Sequence, residues 1–189
     1  MGYYPVKPQD MPYDEEYFDR YRERADSEIG RALTSARCDF VARHYEGMVL
    51  DVGIGCGQFV AARPQTFGYD VNPAGIDWLH QRGLYMDLYG TKVPAATFWD
   101  SLEHIPEPAA AIAQVEKWAF VSIPLFQGGE HCLRSKHFRR EEHIWYFEDR
   151  GIRAWFAAQG FECVESNDEE TRLGREDIRS YAFRRVGHE

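Results

Sequence analysis

Met48-Val-Leu-Asp-Val-Gly-Ile-Gly-Cys-Gly-Gln-Phe59 runs without a break from an apolar strand into a glycine-rich turn and on toward a helix. Asp51 closes the strand, and Gly53, Gly55 and Gly57 follow at every second position. Residues without a Cβ let the backbone turn sharply and come close to a bound ligand. The spacing narrows the choice of ligand, because a dinucleotide fingerprint needs G-x-G-x-x-G. Counted from Gly53, Gln58 stands where the third glycine belongs; counted from Gly55, Val60 does. Neither frame fits a pyrophosphate.

The turn matches D-x-G-x-G-x-G letter for letter, and in this it resembles the class I S-adenosylmethionine-dependent methyltransferases. The resemblance implies an α/β, Rossmann-like fold: a seven-stranded, mostly parallel sheet with helices on both faces and an antiparallel C-terminal strand pair. It also implies S-adenosylmethionine as cofactor, with the glycine turn passing under its amino-acid end and Asp51, Gly53, Gly55 and Gly57 among the binding residues. That ligand brings an ammonium, a carboxylate and a sulfonium, so it needs an acid and backbone donors and acceptors but no phosphate cradle. On this stretch alone, a glycine turn in another parallel α/β protein is the competing reading.

The 189 residues, 22.0 kDa, suit one domain with a single sizeable core. We expect residues 1–46 to form a helical cap of the same domain and 47–189 the core. Apolar residues at 44% argue against disorder, and aromatics at 15% allow aromatic-lined pockets. The net charge of −9, from 31 acids and 22 bases, builds in no long-range attraction to nucleic acid. Cys38, Cys56, Cys132 and Cys163 form no C-x-x-C pair, so reduced thiols are expected in place of a zinc site or a disulfide framework. The N-terminus has no basic flank with an apolar run behind it, and Val6 stands where a myristoylation signal wants Ser or Thr. With no run of 18 apolar residues, a soluble, cytoplasmic protein with no membrane partner is expected.

Pro5, Pro8 and Pro12 mark an irregular lead-in. Asp14 can cap a helix with Glu15 and Glu16 in its first turn and Tyr17, Phe18, Tyr21, Ala25 and Ile29 on one apolar face. A second helical pattern, Leu33, Ala36, Phe40 and Val41, leads to Gly47 and the opening strand. The resemblance implies that such helices lie over the cofactor as a partial lid. Arg37 reads as a surface arginine, the alternative being contact with the cofactor's carboxylate.

Beyond Gly57 the helix must be short, because Asp51 and Asp70 are only 19 positions apart (70 − 51) and Pro64 intervenes. Thr66-Phe-Gly-Tyr-Asp70 is the second strand, and an acid at such a strand end accepts hydrogen bonds from ribose hydroxyls in open α/β sheets. Asp70 is therefore assigned to the ribose, with Asn72 capping the helix that follows. Leu84-Tyr-Met-Asp-Leu88 reads as a third strand. The resemblance puts Asp87 against the adenine, although an Asp entering a Tyr89-Gly90 turn also has a purely structural reading.

Residues 95–99 form the expected fourth strand, followed by Asp100-Ser-Leu-Glu-His-Ile-Pro-Glu-Pro108. This run resembles the L-E-H-(I/V/L)-P-x-P segment of small-molecule members of the family, which implies that Asp100 and His104 sit beside the sulfonium. Pro106 and Pro108 open an alanine-rich helix expected over 109–117, and 118–124 is an apolar central strand. Loop 125–146 holds three histidines, bases and a Trp145-Tyr146 end. Loops this long in compact domains are usually functional, so it is expected to wall the acceptor pocket with those two aromatics. Glu148 or Asp149 caps a last helix carrying Ile152, Trp155 and Phe156, and 161–165 and 178–183 form a terminal antiparallel pair around a very polar loop.

A sulfonium already activates the methyl, so the protein mainly aligns the acceptor and excludes water. An acceptor that must lose a proton wants a base near neutral pKa, which makes His104, His131 and His143 the catalytic candidates in that order. The segment Asp100-Ser-Leu-Glu103 is not the N/D-P-P-Y/F/W run of amino-directed nucleobase enzymes, and no Pro-Cys nucleophile occurs. A small-molecule acceptor is thus favoured over nucleic acid or a protein side chain. Arg134, Lys136, Arg139 and Arg140 read as a solvated loop, with an anionic acceptor as the alternative. From a different functional class, the chain is a catalytically silent cofactor-binding subunit that offers its aromatic loop to a partner.

Overall fold

The computed structural model describes residues 1–4 and 14–187, the side chain of Tyr17 excepted; the proline-rich lead-in falls largely outside them. The elements in chain order are β1 (Gly2–Tyr3), α1 (Glu15–Ala25), α2 (Glu28–Ala42), β2 (Val49–Val52), α3 (Gln58–Ala62), β3 (Thr66–Tyr69), α4 (Pro73–His80) and β4 (Val93–Trp99). After the 3-10 turn Leu102–His104 come α5 (Pro108–Ile112), β5 (Val115–Pro124), α6 (Gly129–Arg134), β6 (Trp145–Tyr146), α7 (Asp149–Ala158), β7 (Phe161–Asn167), α8 (Glu169–Arg172) and β8 (Ile178–Arg185).

The main sheet has six strands in the order β3-β2-β4-β5-β8-β7. The first four are parallel and the last two antiparallel. This is the expected α/β Rossmann-like sheet with one strand fewer than the seven expected. The missing strand is Leu84-Tyr-Met-Asp-Leu88, which makes a single bridge from Tyr85 to Gly68. Asp87 then stops the pairing: its carboxylate accepts from the Tyr89 amide at 3.0 Å and its carbonyl from Gly90 at 3.3 Å, turning the chain away from the edge of β3. β1 and β6 form a separate two-stranded ribbon.

Strands β4 and β5 are nearly continuous apolar runs because they lie inside the sheet with both faces covered. Phe98, Val121, Phe147, Phe156 and Phe183 pack in one core on one face, and Phe40, Phe59 and Phe120 in a second on the other. Each such ring contributes about 1.5–3 kcal/mol by leaving water. Helix α5 ends five residues earlier than the alanine run suggests, because Val115 already pairs with Val93 as the start of β5. In the cap, Phe18 and Ala25 are buried as expected, whereas Ile29 is exposed, since α1 ends at Ala25 and the chain re-registers through Ser27, the N-cap of α2.

The strand order reverses direction at β2, with β3 on one side and β4 on the other. Open α/β sheets bind ligands at the carboxyl ends of the strands flanking such a point. Asp51, Asp70 and Asp100 all lie at those ends.

Candidate active site

The glycine turn is built on conformations that favour glycine. Gly53 has φ +79°, donates to the Tyr69 carbonyl at 2.8 Å, and leaves so little room that a Cβ would stand 2.7 Å from Cβ of Ser101. Gly57 begins α3 at φ +81°, with the Trp78 ring 2.6 Å from where its Cβ would be. Beneath the turn Asp51 is buried and accepts from the Thr97 hydroxyl at 2.6 Å. Burial raises its pKa to about 7, against the opposing pull of Thr97 and Arg37.

Asp70 fastens the turn as well as facing it. One carboxylate oxygen accepts from the Ile54 amide at 2.8 Å, and the other from Val71 and Asn72 at 2.7 and 2.8 Å. A carboxylate offers about four lone-pair directions, so acceptor capacity remains beyond these three bonds. Asn72 caps α4 through the Ala74 amide at 3.0 Å, as its sequence position suggests.

Two cavities open above these groups. The larger, about 420 Å³, runs from Gly53 and Gly55 past Asp70 and Asn72 to Tyr69, Tyr89 and Ile105. Asp87 is not part of its wall, and Tyr89, two residues on, takes that place. The smaller, about 230 Å³, lies between the underside of α1 and α2 and the ends of β2, β4 and β5, with Asp51 among its lining. The two share Tyr21, Gly53, Gly55, Trp99, Asp100 and His104.

Arg37 departs from the surface role expected for it. It is largely buried and binds Glu170 through two nitrogens at 2.7 and 2.9 Å and Asp100 at 3.2 Å, with its guanidinium 5.1 Å from the Trp99 ring centre. Arg175 reaches the same two acids at 2.6 and 2.5 Å, so two cations neutralise two buried anions. Although burial works the other way, Arg175 and Arg37 hold the Asp100 carboxyl down to about 2. Asp100 itself sits at φ +55°, where a non-glycine residue is uncommon, and this turns its side chain into the network. Glu170 and Arg175 belong to the polar loop after β7; their acidic and basic character was readable, but their partner Arg37 lies far away in the sequence.

The histidine candidates divide. His104 lies in the wall common to both cavities, its Nδ1 2.9 Å from the Glu142 carbonyl oxygen. His143 lines the smaller cavity, edge-on to His104 with ring centres 4.7 Å apart. Burial lowers both pKa values, that of His143 to about 3, so both rings are neutral at physiological pH. His131 lines neither cavity; its Nδ1 accepts from the Gln127 amide at 3.1 Å and its Nε2 stands 3.6 Å from Asp177. His137, which the sequence did not single out, does line the smaller cavity.

Loop 125–146 therefore reaches the site through different residues from those expected. Trp145 and Tyr146 do not line the cavities: Trp145 donates to the Ile105 carbonyl at 2.9 Å, and Tyr146 packs among Phe126, Phe138 and His143. Of the loop's bases, Arg139 lines the smaller cavity and pairs there with Glu142 at 2.9 Å, while Arg134 and Lys136 pair with Glu130 and Glu176 on the surface. The four cysteines are free thiols.

Residues 18–166 match the family model described as a methyltransferase domain. No curated protein matches the chain. Among solved structures, magnesium protoporphyrin IX methyltransferase from Synechocystis with bound SAH is similar at a TM-score of 0.68 and 16% identity, covering 92% of this chain and 96% of that one. A methyltransferase from Thermotoga maritima described as a possible histamine N-methyltransferase has a TM-score of 0.65 at 14% identity, covering 90% and 96%. The [4+2]-cyclase SpnF has a TM-score of 0.64 at 16% identity, covering 98% and 99%. Identities this low establish a common fold, while the family match spans most of the chain. The glycine turn after β2, the acid after β3 and the paired cavities above them thus belong to a chain that is a member of the methyltransferase domain family, whose donor is S-adenosylmethionine.

Proposed function

We propose that the chain transfers the methyl group of S-adenosylmethionine to a small-molecule acceptor. The observation that carries this reading is the pair of adjoining cavities meeting at Gly53, Gly55, Asp100 and His104. The larger suits the nucleoside, with the remaining acceptor capacity of Asp70 for the ribose hydroxyls and Tyr69 and Tyr89 beside the base. Asp51 and the amides of the glycine turn, at the β2 end of the smaller cavity, suit the ammonium and carboxylate of the amino-acid end and leave the part of that cavity near His104 and His143 for the acceptor. This orientation points the sulfonium methyl along the shared wall toward His104 and the smaller cavity.

That cavity is small and enclosed by α1, α2 and the 137–143 segment, which favours a compact acceptor over a polymer. No helix among the described residues is long and apolar enough to cross a membrane. His104 and His143 present neutral imidazoles there, and the ion pair of Arg139 with Glu142, 2.9 Å apart, adds a polar edge to the same wall; His131 has no part in this reading. A positioned acceptor needs little else, since the donor carries its own leaving group. The test is methyl turnover on a panel of hydroxyl, amine and carboxylate compounds. His143→Ala should slow transfer at least about tenfold while donor affinity stays within a factor of about two, the pattern of a contact made with the acceptor. Tight donor binding with no turnover on any acceptor class would favour a silent cofactor-binding protein.

A further inference from the structure

The 3-10 turn after β4 carries a group that methyl transfer alone does not explain. Glu103 is 1% exposed, and neither of its carboxylate oxygens has a hydrogen-bond partner. An ionised carboxylate in that position is costly unless a cation meets it. The adjacent guanidiniums of Arg37 and Arg175 are bonded to Asp100 and Glu170, two charges for two.

What faces this carboxylate is a pair of imidazoles. One oxygen of Glu103 and one ring nitrogen from each of His104 and His143 all lie within 4.8 Å of one another. Ligand atoms about 2.0–2.2 Å from a shared ion stand roughly 3.3–3.8 Å apart at tetrahedral to trigonal angles, so side-chain rotations that draw these three atoms closer would close the triad on a metal. The surroundings fit that use. The Glu142 carbonyl oxygen, 2.9 Å from Nδ1 of His104, accepts the Nδ1 proton of the neutral ring and leaves the lone pair on Nε2. The Ile144 amide donates to the Glu103 carbonyl at 2.9 Å, which ties the segment carrying His143 to the turn carrying the other two ligands.

We propose that Glu103, His104 and His143 bind one divalent transition-metal ion. Two imidazoles and one carboxylate suit zinc, iron(II) or manganese(II) better than calcium or magnesium, which prefer all-oxygen sets. Three protein ligands leave open positions, and all three residues line the smaller cavity. Water fills those positions or, on the methyl-transfer reading, an oxygen of the acceptor, which the ion would polarise beside the donor's methyl.

The experiment is metal titration of chelator-treated protein in the absence of donor and acceptor, with cobalt(II) as a spectroscopic probe and zinc by calorimetry. One equivalent per chain is expected, with ligand-field bands in the visible. Glu103→Gln and His143→Ala should each weaken binding at least about tenfold, while Glu107→Gln, an exposed neighbour, binds as the parent does. If Glu103→Gln fails to fold, parental stoichiometry and His143→Ala decide the question. No saturable binding by the parent, or equal binding by parent and His143→Ala, overturns the site. Because no methyl chemistry enters the measurement, its failure leaves the methyl-transfer reading standing, and an absence of turnover leaves the ion site standing.

Discussion

Lowering the pH should release the donor through Asp51. Burial puts the Asp51 pKa at about 7 in the folded protein against 3.8 ordinarily. A carboxyl with a raised folded pKa is protonated more readily in the native state than in the unfolded one. Its neutral form is therefore tolerated below pH 4, and stability falls as the pH climbs from there to 7. Three pKa units correspond to an upper bound of about 4 kcal/mol at 1.36 kcal/mol per unit. A donor ammonium beside Asp51 reverses this, because it needs the ionised form. Donor affinity should drop about tenfold for each pH unit below 7, and above pH 8 an α-amino group with a pKa near 7.7–8.0 loses its own charge. The expected profile is a maximum between pH 7 and 8, read by calorimetric titration from pH 5.5 to 9 alongside thermal melts of the unliganded protein. Asp51→Asn should bind weakly and without the acid limb. A parental affinity that stays flat between pH 5.5 and 7 would refute the pairing of Asp51 with the ammonium.

Asp70→Asn keeps the size of the side chain but not two equivalent acceptors for the Ile54, Val71 and Asn72 amides, so it should lower both the melting temperature and donor affinity, the latter by about 1.5–3 kcal/mol; a loss of affinity with no loss of stability would assign Asp70 to the ribose alone. Arg37→Met leaves one guanidinium for two buried carboxylates and should cost about 3–5 kcal/mol in denaturant melts, whereas a cost under about 1 kcal/mol would mean that water compensates the pair. Gly57→Ala puts a Cβ against the Trp78 ring at φ +81°, which should destabilise the fold by at least about 1–3 kcal/mol; a neutral result would show that the turn relaxes around the added methyl.

Local chemistry was legible in the sequence. The glycine turn, the acid after β3, the Asn72 cap and the short α3 each follow from neighbours within a few residues, and each stands where the pattern put it. Pairing across the fold was less so. Residues 84–88 have strand composition, yet strand length depends on how long an edge stays parallel, and the Asp87 turn ends it after one bridge. The alanine run into β5 misled for the same reason, because Val93 decides where Val115 starts a strand. Arg37 looked like a surface residue because Glu170 and Arg175, which bury it, come from a loop with no periodicity to place it. His131 and His137 have equally polar neighbours in the sequence, and only the path of the loop past α6 sets His137, and not His131, in the cavity wall.

The most direct measurement is calorimetric titration of the chain with S-adenosylmethionine and, separately, with NAD at pH 7.5. One equivalent of S-adenosylmethionine should bind and raise the melting temperature by mass action, and NAD should do neither. Saturable NAD binding with no heat from S-adenosylmethionine would contradict the assignment of both cavities.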